Sequence, residues 1–145
     1  MMDEDLITRM LIKDEDCKGF PYKCSEGYLT IGIGHNLEAA PLPHQIIMQI
    51  FKHDLYKVTD PLTRLSWFSS LDTVRQSVIV DMAFNLGVAG LLKFKNMIAA
   101  IQSQDYEKAA DEMIDSKWFR QVKSRGERLE HMMRTGEIHT AYLGG

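Results

Sequence analysis

An acid, a thiol and a hydroxyl follow one another near the N-terminus at spacings that suit proton-transfer chemistry. Eight residues separate Glu15 from Cys24, and five separate Cys24 from Thr30. A glutamic acid can act as a general acid, whereas a cysteine acts as a base or nucleophile only as the thiolate. Taken alone, Glu15 fits an ordinary surface acid better, so its position by itself does not decide the chemistry.

The element that positions Glu15 is a predicted helix. Apolar residues at helical spacing, after an acidic first turn, predict a helix that ends near Glu15, because Gly19 and Pro21 follow. A carboxylate at the C-terminal end of a helix meets the negative end of the helix dipole, which disfavours its charged form. Such a position would help Glu15 to donate a proton.

The element that positions Thr30 is a predicted strand over residues 28–35, with a hairpin partner before it. Alternation directs Leu29, Ile31 and Ile33 toward a core and Thr30 toward the opposite face. Two glycines on the face of Thr30 leave that face open. This openness fits either a twisted edge strand or the floor of a ligand site.

The rest of the chain follows a helical period. We expect helices at about 43–58, 72–87, 94–102, 106–115, 117–122 and 125–134. Asp54 falls on the apolar face of the first of these helices, where a buried acid needs a partner. The fold class is therefore α+β, mostly helical, with one small antiparallel sheet near the N-terminus.

Composition excludes several functions. The chain of 145 residues has a net charge of −3, which argues against nucleic acid or an anionic membrane as a bulk partner. Basic side chains concentrate in residues 117–134 and form either a solvated helical face or a local rim for an anionic polymer. Two cysteines, Cys17 and Cys24, are too few for a disulfide scaffold or a zinc site. A bond between them is conceivable, but two free thiols are the expectation.

The run Glu26-Gly27-Tyr28-Leu29-Thr30-Ile31-Gly32-Ile33-Gly34-His35, with Asp14-Glu15 before it, resembles the hairpin of the phage-type lysozymes, glycoside hydrolase family 24. Weaker similarity follows in the right order, at residues 70–75, 82–87 and 118–128. The resemblance therefore covers nearly the whole chain. It implies a single lysozyme domain, 1–145, with a small β lobe at about 16–58 and a helical lobe made of about 1–15 plus 59–145.

The resemblance implies hydrolysis of the β-1,4 bond between N-acetylmuramic acid and N-acetylglucosamine in peptidoglycan. The general acid of the family maps onto Glu15, and its catalytic threonine onto Thr30. The resemblance also implies that Arg125 pairs with Glu15 and His35 with Asp54. An arginine favours ionised glutamate, so this pair opposes the effect of the helix dipole, and the sequence leaves open which effect is larger.

The chain departs from the family pattern at Cys24, which occupies the position of the second catalytic carboxylate. Some phage members of the family carry a cysteine there, so we interpret Cys24 as functional. A thiol with its ordinary pKa of about 8.5 is mostly protonated at neutral pH, and a nearby carboxylate would raise that pKa further. Cys24 is therefore expected to position water, or to act as base or nucleophile once it is a thiolate.

Family positions that contact the sugar chain also map onto this sequence. They correspond to Asn36 at the edge of the cleft, to Phe84 and Asn85 at the end of a core helix, and to Met97 and Glu112, which differ from the family in residue type. A core aromatic and a helix-end amide are the plainer interpretations of Phe84 and Asn85. No metal or organic cofactor is implied.

The expected partner is the peptidoglycan glycan strand, bound by a monomer without stable membrane insertion. No export signal is recognisable in the acidic N-terminus. We therefore expect synthesis in the host cytoplasm and action on the periplasmic wall, after a separate holin-like protein has permeabilised the membrane, to lyse the host. Two rival functions are a lytic transglycosylase, which needs one acid and no water, and a catalytically impaired wall-binding or virion protein.

Overall fold

A computed structural model describes residues 1–144. The elements in chain order are α1 (Glu4–Glu15), β1 (Lys18–Lys23), β2 (Leu29–Gly32), β3 (His35–Asn36), α2 (His44–Thr63), α3 (Ser66–Ser69), α4 (Thr73–Leu86), α5 (Val88–Leu91), α6 (Lys95–Gln102), α7 (Tyr106–Ile114), α8 (Lys117–Val122), α9 (Ser124–Thr135) and a 3₁₀ turn (Thr140–Tyr142). This order confirms the α+β class. Within residues 1–144, no helix combines the length and apolarity needed to cross a bilayer.

The chain divides into two compact units, Met1–Ile50 and Phe51–Gly145. We call them the N-terminal unit and the helical unit. The N-terminal unit contains α1, the sheet and the start of α2, and the helical unit contains the remaining helices. The lobes expected from the sequence, which assign the first helix to the helical part, stay a prediction.

Helix α1 begins and ends as the sequence predicted. The Asp3 side chain accepts a hydrogen bond from the backbone N–H of Leu6 at 3.0 Å, and so caps the first turn. Glu15 is the last helical residue. Asp16 follows with a φ of 67°, so the chain turns away from the helix axis directly after Glu15.

The sheet is antiparallel in the order β1-β2-β3. The prediction of one strand over residues 28–35 is wrong, because the chain reverses and Ile31 pairs with His35 of β3. The reversal is possible because Gly32 and Gly34 have φ values of 66° and 65°, in the left-handed region that side chains disfavour. The two glycines therefore make a turn and do not form an open strand face.

The predicted orientation of β2 is also wrong. Leu29 and Ile33 are 40% and 42% exposed, whereas Thr30 is only 2% exposed. Leu29 and Thr30 do lie on opposite faces, but the polar side chain is the buried one. Burial of the Thr30 hydroxyl is tolerated because it donates a hydrogen bond to the Tyr28 carbonyl oxygen at 2.9 Å.

Most of the predicted helices are confirmed. Asp72 accepts from the N–H of Arg75 at 3.1 Å and caps α4, which ends at Gly87 with a φ of 80°. Helices α6 to α9 begin and end within one residue of the predicted limits. Helix α2 runs past 58 to Thr63 despite Pro61, which lies in its last turn and removes a single N–H donor. The short helices α3 and α5 were not predicted, because four residues carry no readable period.

One hydrophobic core lies in the helical unit. Its fully buried side chains come from α2, α4, α5, α6, α7 and α9, and the largest of them are Leu62, Ile79, Met82, Leu91, Met97, Met113, Leu129 and Met133. Methionine is unbranched and adapts its shape to irregular gaps between helices. This core fixes the helices relative to one another within the helical unit.

The basic stretch at residues 117–134 is partly neutralised within the fold. Arg134 forms ion pairs with Asp111 at 2.9 Å, with Glu130 at 2.6 Å and with Glu107. These contacts raise the pKa of the Arg134 guanidinium, chiefly through the hydrogen bond to Asp111. The contacts support a structural function for Arg134 over a rim for an anionic polymer.

Candidate active site

Glu15 is anchored through its backbone to the first strand. The Tyr22 hydroxyl of β1 donates a hydrogen bond to the Glu15 carbonyl oxygen at 3.1 Å. That carbonyl belongs to the last turn of α1, where carbonyl groups lack helical partners. The bond therefore ties the end of α1 to the sheet at the residue that carries the candidate acid.

The Glu15 side chain lies against the turn between β2 and β3. A Cβ built on Gly34 would lie 3.0 Å from Glu15 Oε2 and 3.1 Å from both Glu15 Cβ and Cδ. A side chain at this position would require the Glu15 carboxyl group to move by a few tenths of an ångström. The glycine at this position thus serves both the positive φ of the turn and the close approach of Glu15.

Cys24 lies at the start of the turn between β1 and β2. The Cys24 N–H donates to the Tyr28 carbonyl at 2.9 Å, and the Gly27 N–H donates to the Cys24 carbonyl at 2.9 Å. This closed turn gathers backbone N–H groups around the partly exposed thiol. Successive N–H groups that converge in a turn stabilise an anion.

The turn lowers the pKa of the Cys24 thiol. The largest cause is the backbone N–H of Glu26, followed by that of Tyr28, and the Thr30 side chain adds a further hydrogen bond to the thiolate. Partial desolvation and the negative charge of Glu26 oppose this lowering but do not cancel it. A neighbouring carboxylate, Glu26, does raise the pKa of Cys24 as the sequence predicted, but the backbone donors outweigh it and the net shift is downward.

Thr30 contacts both the turn and the thiol. Its single hydroxyl proton has two acceptors, the Tyr28 carbonyl oxygen at 2.9 Å and the Cys24 thiolate. Because Thr30 is almost fully buried, its hydroxyl acts on Cys24 and the turn. This geometry favours a positioning function for Thr30, and its predicted catalytic function stays a prediction.

A disulfide between the two cysteines does not fit this unit. Cys17 precedes β1 and Cys24 follows it, so the whole strand Lys18–Lys23 separates them. A strand of this length spans roughly 20 Å, whereas disulfide-bonded Cα atoms lie within about 7 Å of each other. Both cysteines are free.

Beyond the turn, Asn36 has a local structural partner. Its side-chain oxygen accepts from the Glu38 N–H at 2.8 Å, and the Glu38 carboxylate in turn accepts from the Leu29 N–H at 2.5 Å. Glu38 thereby fixes the start of β2, one residue before Thr30. Sequence reasoning missed Glu38, because no local pattern distinguishes it from an ordinary loop acid.

In the helical unit, Arg125 pairs with an acid that sequence reasoning also missed. Arg125 Nε donates to Asp81 Oδ1 at 2.8 Å, and a second guanidinium nitrogen lies 2.7 Å from the same oxygen. Asp81 lies between Val78 and Met82, which are buried residues of α4. An acid among core residues was a readable signal that it needs a partner. The pairing of Arg125 with Glu15 stays a prediction.

Two predicted sugar contacts, Phe84 and Asn85, end helix α4. Phe84 is 42% exposed and its ring packs at a tilt against Phe51, with centroids 5.9 Å apart. The Asn85 side-chain oxygen accepts from the indole N–H of Trp118 at 3.1 Å. Trp118 is buried, so this bond satisfies its one polar group.

The other two predicted contacts line one groove of about 420 Å³ in the helical unit. Met97 is almost fully buried, and Glu112 is partly exposed. The groove also contains the exposed lysines Lys93, Lys95 and Lys117. Whether Met97 and Glu112 contact a sugar chain stays a prediction.

The pairing of His35 with Asp54 would give a partner to an acid that the helical pattern placed on a buried face, but the structure does not bury Asp54. Asp54 is exposed and lies beside Lys57 and Phe84 in a shallow depression, so it is not the buried acid that the helical pattern indicated. His35 is exposed in β3. The pairing itself stays a prediction. Within residues 1–144, no group of three or more histidine, cysteine or acidic side chains is arranged to hold a metal ion.

Glu15 therefore ends a helix, lies against the turn of a small antiparallel sheet and is followed in the chain by a helical unit. Comparison with known proteins gives the family. The family model described as Phage lysozyme matches residues 13–135, and the chain belongs to this family.

Individual relatives agree with this assignment. The chain is 31% identical to "Probable T4-type lysozyme 1" of Dictyostelium discoideum, over 92% of this chain and 96% of that protein. It is 25% identical to the "SAR-endolysin" of Escherichia phage Mu, over 95% and 78%. It is also 29% identical to the "Pre-baseplate central spike protein Gp5" of Enterobacteria phage T4, over 92% of this chain but only 28% of that longer protein.

Proposed function

We propose that this protein is a lysozyme that hydrolyses the β-1,4 bond between N-acetylmuramic acid and N-acetylglucosamine in peptidoglycan. The observation that carries the proposal is that the sheet holds one acid and one thiol at two of its turns, the acid packed against one turn from the end of α1 and the thiol within the other. Glu15 lies against the β2–β3 turn at Gly34, and the β1–β2 turn lowers the pKa of Cys24. Glycoside hydrolysis needs a proton donor and a group that activates the attacking water.

In the proposed reaction, Glu15 donates its proton to the glycosidic oxygen while the bond from that oxygen to C1 breaks. A water molecule attacks C1 and gives a proton to the Cys24 thiolate, so the product is a reducing end with inverted configuration. The thiol then releases that proton to solvent, and Glu15 takes up a new one. Direct attack by Cys24 on C1 would instead form a thioglycoside and retain the configuration.

The productive state carries one proton, on Glu15 and not on Cys24. A cysteine with its ordinary pKa of about 8.5 is mostly protonated at neutral pH, so the thiolate that this state needs is the minor form. The backbone N–H groups of the turn enlarge its population by lowering the pKa of Cys24. This effect is the physical reason why a thiol can replace a carboxylate at this position.

The remaining site residues have supporting functions in the proposal. Thr30 orients the Cys24 thiolate through its hydroxyl, and Tyr22 fixes the end of α1 through its bond to the Glu15 carbonyl. Phe84, Asn85, Met97, Glu112 and Asn36 are proposed sugar contacts, and Arg125, His35 and Asp54 are proposed structural supports.

Product analysis tests the reaction. Purified peptidoglycan digested with the intact chain should release muropeptides with a reducing N-acetylmuramic acid end, and proton NMR at early times should show the inverted anomer. A 1,6-anhydro product would instead establish the transglycosylase alternative. A retained anomer would replace the base function of Cys24 with nucleophilic attack.

Variants at Cys24 separate the chemical functions of this side chain. Cys24→Ser removes the ionisable group and should reduce kcat by roughly a hundredfold or more, while Cys24→Asp restores a base and should retain activity. Cys17→Ser is the matched control and should leave kcat unchanged. Full activity in Cys24→Ser would eliminate the base function.

We further propose that the protein acts as a monomer on the periplasmic wall during host lysis, once a holin-like protein has opened the inner membrane. The match to a virion spike protein supports a second setting, in which the same wall-cleaving unit travels with the particle. Mass spectrometry of purified particles distinguishes the two, because a lysis protein is absent from them.

A further inference from the structure

A pocket of about 250 Å³ lies in the helical unit where α3, the end of α6 and the start of α7 meet. Its polar and aromatic lining consists of Ser66, Trp67, Ser70, Gln102, Gln104 and Tyr106. The remaining lining residues, Leu71 and Ile101, are buried aliphatic side chains. None of the proposed site residues contributes to this pocket. The lining contains two aromatic rings, three hydroxyl groups and two amides, and no charged group.

Both aromatic rings pack against a neighbouring side chain. The Arg75 guanidinium stacks on the Tyr106 ring at 3.7 Å from its centroid, and Arg75 is itself held by Asp72 and by the carbonyls of Met133 and Arg134. The Trp67 ring packs at 83° to Phe68, with centroids 6.3 Å apart. A ligand that stacks on these rings would therefore meet preformed surfaces, which reduces the entropic cost of binding.

Gln104 occupies a backbone position that usually belongs to glycine. It follows the end of α6 with a φ of 58°, and its N–H donates to the Ile101 carbonyl at 2.9 Å. The next N–H, of Asp105, donates to the Ala100 carbonyl at 2.8 Å, which completes the helix-ending turn. Glycine adopts this left-handed conformation without strain, whereas glutamine does not. Gln104 adopts this strained conformation, and its amide side chain lines the pocket.

We infer that this pocket binds one neutral N-acetylated sugar ring of a glycan strand, separately from the proposed cleavage site. The C–H face of a sugar ring stacks on aromatic rings, while its hydroxyl and acetamido groups match serine hydroxyls and glutamine amides. The pocket volume of about 250 Å³ has room for one monosaccharide ring. A charged ligand would find no counter-charge in the lining.

The inference rests on the proposed function only for the identity of the polymer. A second sugar contact on the same chain would raise the local concentration of the enzyme on an insoluble wall, because each contact holds the polymer near the other. Weak affinity at the second site is then sufficient.

The direct test is an NMR titration of the full-length, nitrogen-15-labelled protein with N-acetylglucosamine, and with glucose as the sugar that lacks the acetamido group. The chain has two tryptophans, so its indole N–H signals are easily separated. N-acetylglucosamine should shift the Trp67 indole and the Gln104 side-chain amide along one saturation curve, with a Kd of about 1–10 mM, and glucose should bind more weakly. No shift at Trp67, or a shift at Trp118 alone, would overturn the inference.

The sharpest variant is Gln104→Gly, which removes the amide and relieves the backbone strain. It should leave the thermal midpoint unchanged or higher, while weakening the Trp67 titration roughly fivefold. Gln121→Ala, a glutamine of the other groove, is the matched control and should leave that titration unchanged. If Gln104→Gly binds N-acetylglucosamine with unchanged affinity, the Gln104 amide does not contact the sugar and the inference is contradicted.

Retention on insoluble peptidoglycan links the pocket to the polymer. In a Glu15→Gln background, the added Gln104→Gly change should reduce the retained fraction severalfold, and retention that does not change would refute the polymer contact. If the sugar titrates Trp67 but the unaltered chain does not cleave peptidoglycan, the pocket stands and the proposed function fails. If the chain cleaves peptidoglycan but the sugar does not titrate Trp67, the proposed function stands and the inferred pocket fails.

Discussion

The helical unit and the N-terminal unit are stabilised by different interactions. Every buried hydrophobic side chain within residues 1–144 lies in the helical unit, from Leu62 to Met133. In the N-terminal unit the buried residue is a polar one, Thr30, and the contacts that define the geometry are hydrogen bonds and turns. The candidate acid and thiol both belong to the N-terminal unit.

The difference shows how this chain separates stability from chemistry. Core packing fixes positions through many small contacts and tolerates no space for solvent. A proton donor and a thiolate need access to a substrate, so they are positioned by backbone N–H groups, a tyrosine hydroxyl and glycine turns. We therefore expect substitutions in the two units to affect different measurements.

The largest expected effect is on activity, from Glu15→Gln. The amide cannot donate a proton to the glycosidic oxygen, so kcat should fall by roughly a thousandfold or more. The thermal midpoint should hardly change, because Glu15 is exposed. Turbidity clearing of permeabilised cells measures the activity, and calorimetry measures the midpoint.

The control for that change is Glu26→Gln, which removes an exposed carboxylate from the turn that holds Cys24. It should retain activity, because the Glu26 charge raises the pKa of Cys24 and its loss favours the thiolate. Equal losses in the two variants would show that Glu15 acts only through net charge.

The next effect is on stability, from Ile79→Ala in α4. Ile79 is fully buried, so the free energy of unfolding should fall by about 2–5 kcal/mol. The matched change in the N-terminal unit, Ile33→Ala, should cost less than about 0.5 kcal/mol, because Ile33 is 42% exposed. Urea denaturation measures both. A large loss in the Ile33 variant would break the proposed separation between the units.

A third effect isolates the position of the Glu15 carboxyl group. Gly34→Ala and Gly32→Ala impose nearly the same backbone strain, at φ values of 65° and 66°, and each should cost about 1–2 kcal/mol of stability. Only at Gly34 does the new Cβ meet Glu15, whereas at Gly32 it meets nothing within 4 Å. Gly34→Ala should therefore lower kcat roughly tenfold more than Gly32→Ala.

The two glycine variants can also contradict the proposed dependence of Glu15 on the space at Gly34. If both lose activity equally at matched stability, the Glu15 carboxyl does not depend on the space at Gly34. The crystal structure of the Gly34 variant, with the carboxyl displaced, would give the direct confirmation.

The contrast between the units also explains how much of the molecule the sequence predicts. Helices α4 and α6 to α9 follow from apolar periodicity and capping residues such as Asp72, which are local signals. The end of α1 at Glu15 follows from Gly19 and Pro21 in the same way. The turn at Gly32–Gly34 was missed, because apolar residues continue to alternate with other residues through this segment of the sequence, although the chain reverses direction there.

Features that depend on three-dimensional geometry were not predictable. Nothing near Arg125 in the sequence indicates Asp81, and nothing near Cys24 indicates that the N–H groups of Glu26 and Tyr28 face its thiol. The orientation of Thr30 was inverted for a related reason. Alternation states that two faces differ, but which face is buried depends on the neighbouring elements.

The smallest effect concerns protonation, and it tests the turn directly. Because the pKa of Cys24 is lowered in the folded chain, its thiolate should form at lower pH than an ordinary thiol, and its alkylation rate should rise with pH at a correspondingly lower midpoint. The Cys17→Ser variant isolates Cys24 for this measurement. Thr30→Val in the same background removes one thiolate donor and should move the midpoint upward.

The lowered pKa of Cys24 also predicts how the stability of the folded chain changes with pH. A pKa that is lower in the folded state means that deprotonation favours folding, so the contribution is complete above the pKa of the unfolded thiol and is lost as the pH falls through the pKa of the folded one. Cys24→Ser lacks this contribution. The gap in unfolding free energy between the intact chain and this variant should therefore widen as the pH rises. A gap that narrows instead would mean that the turn does not stabilise the thiolate, and the explanation for a thiol in place of a carboxylate would be lost.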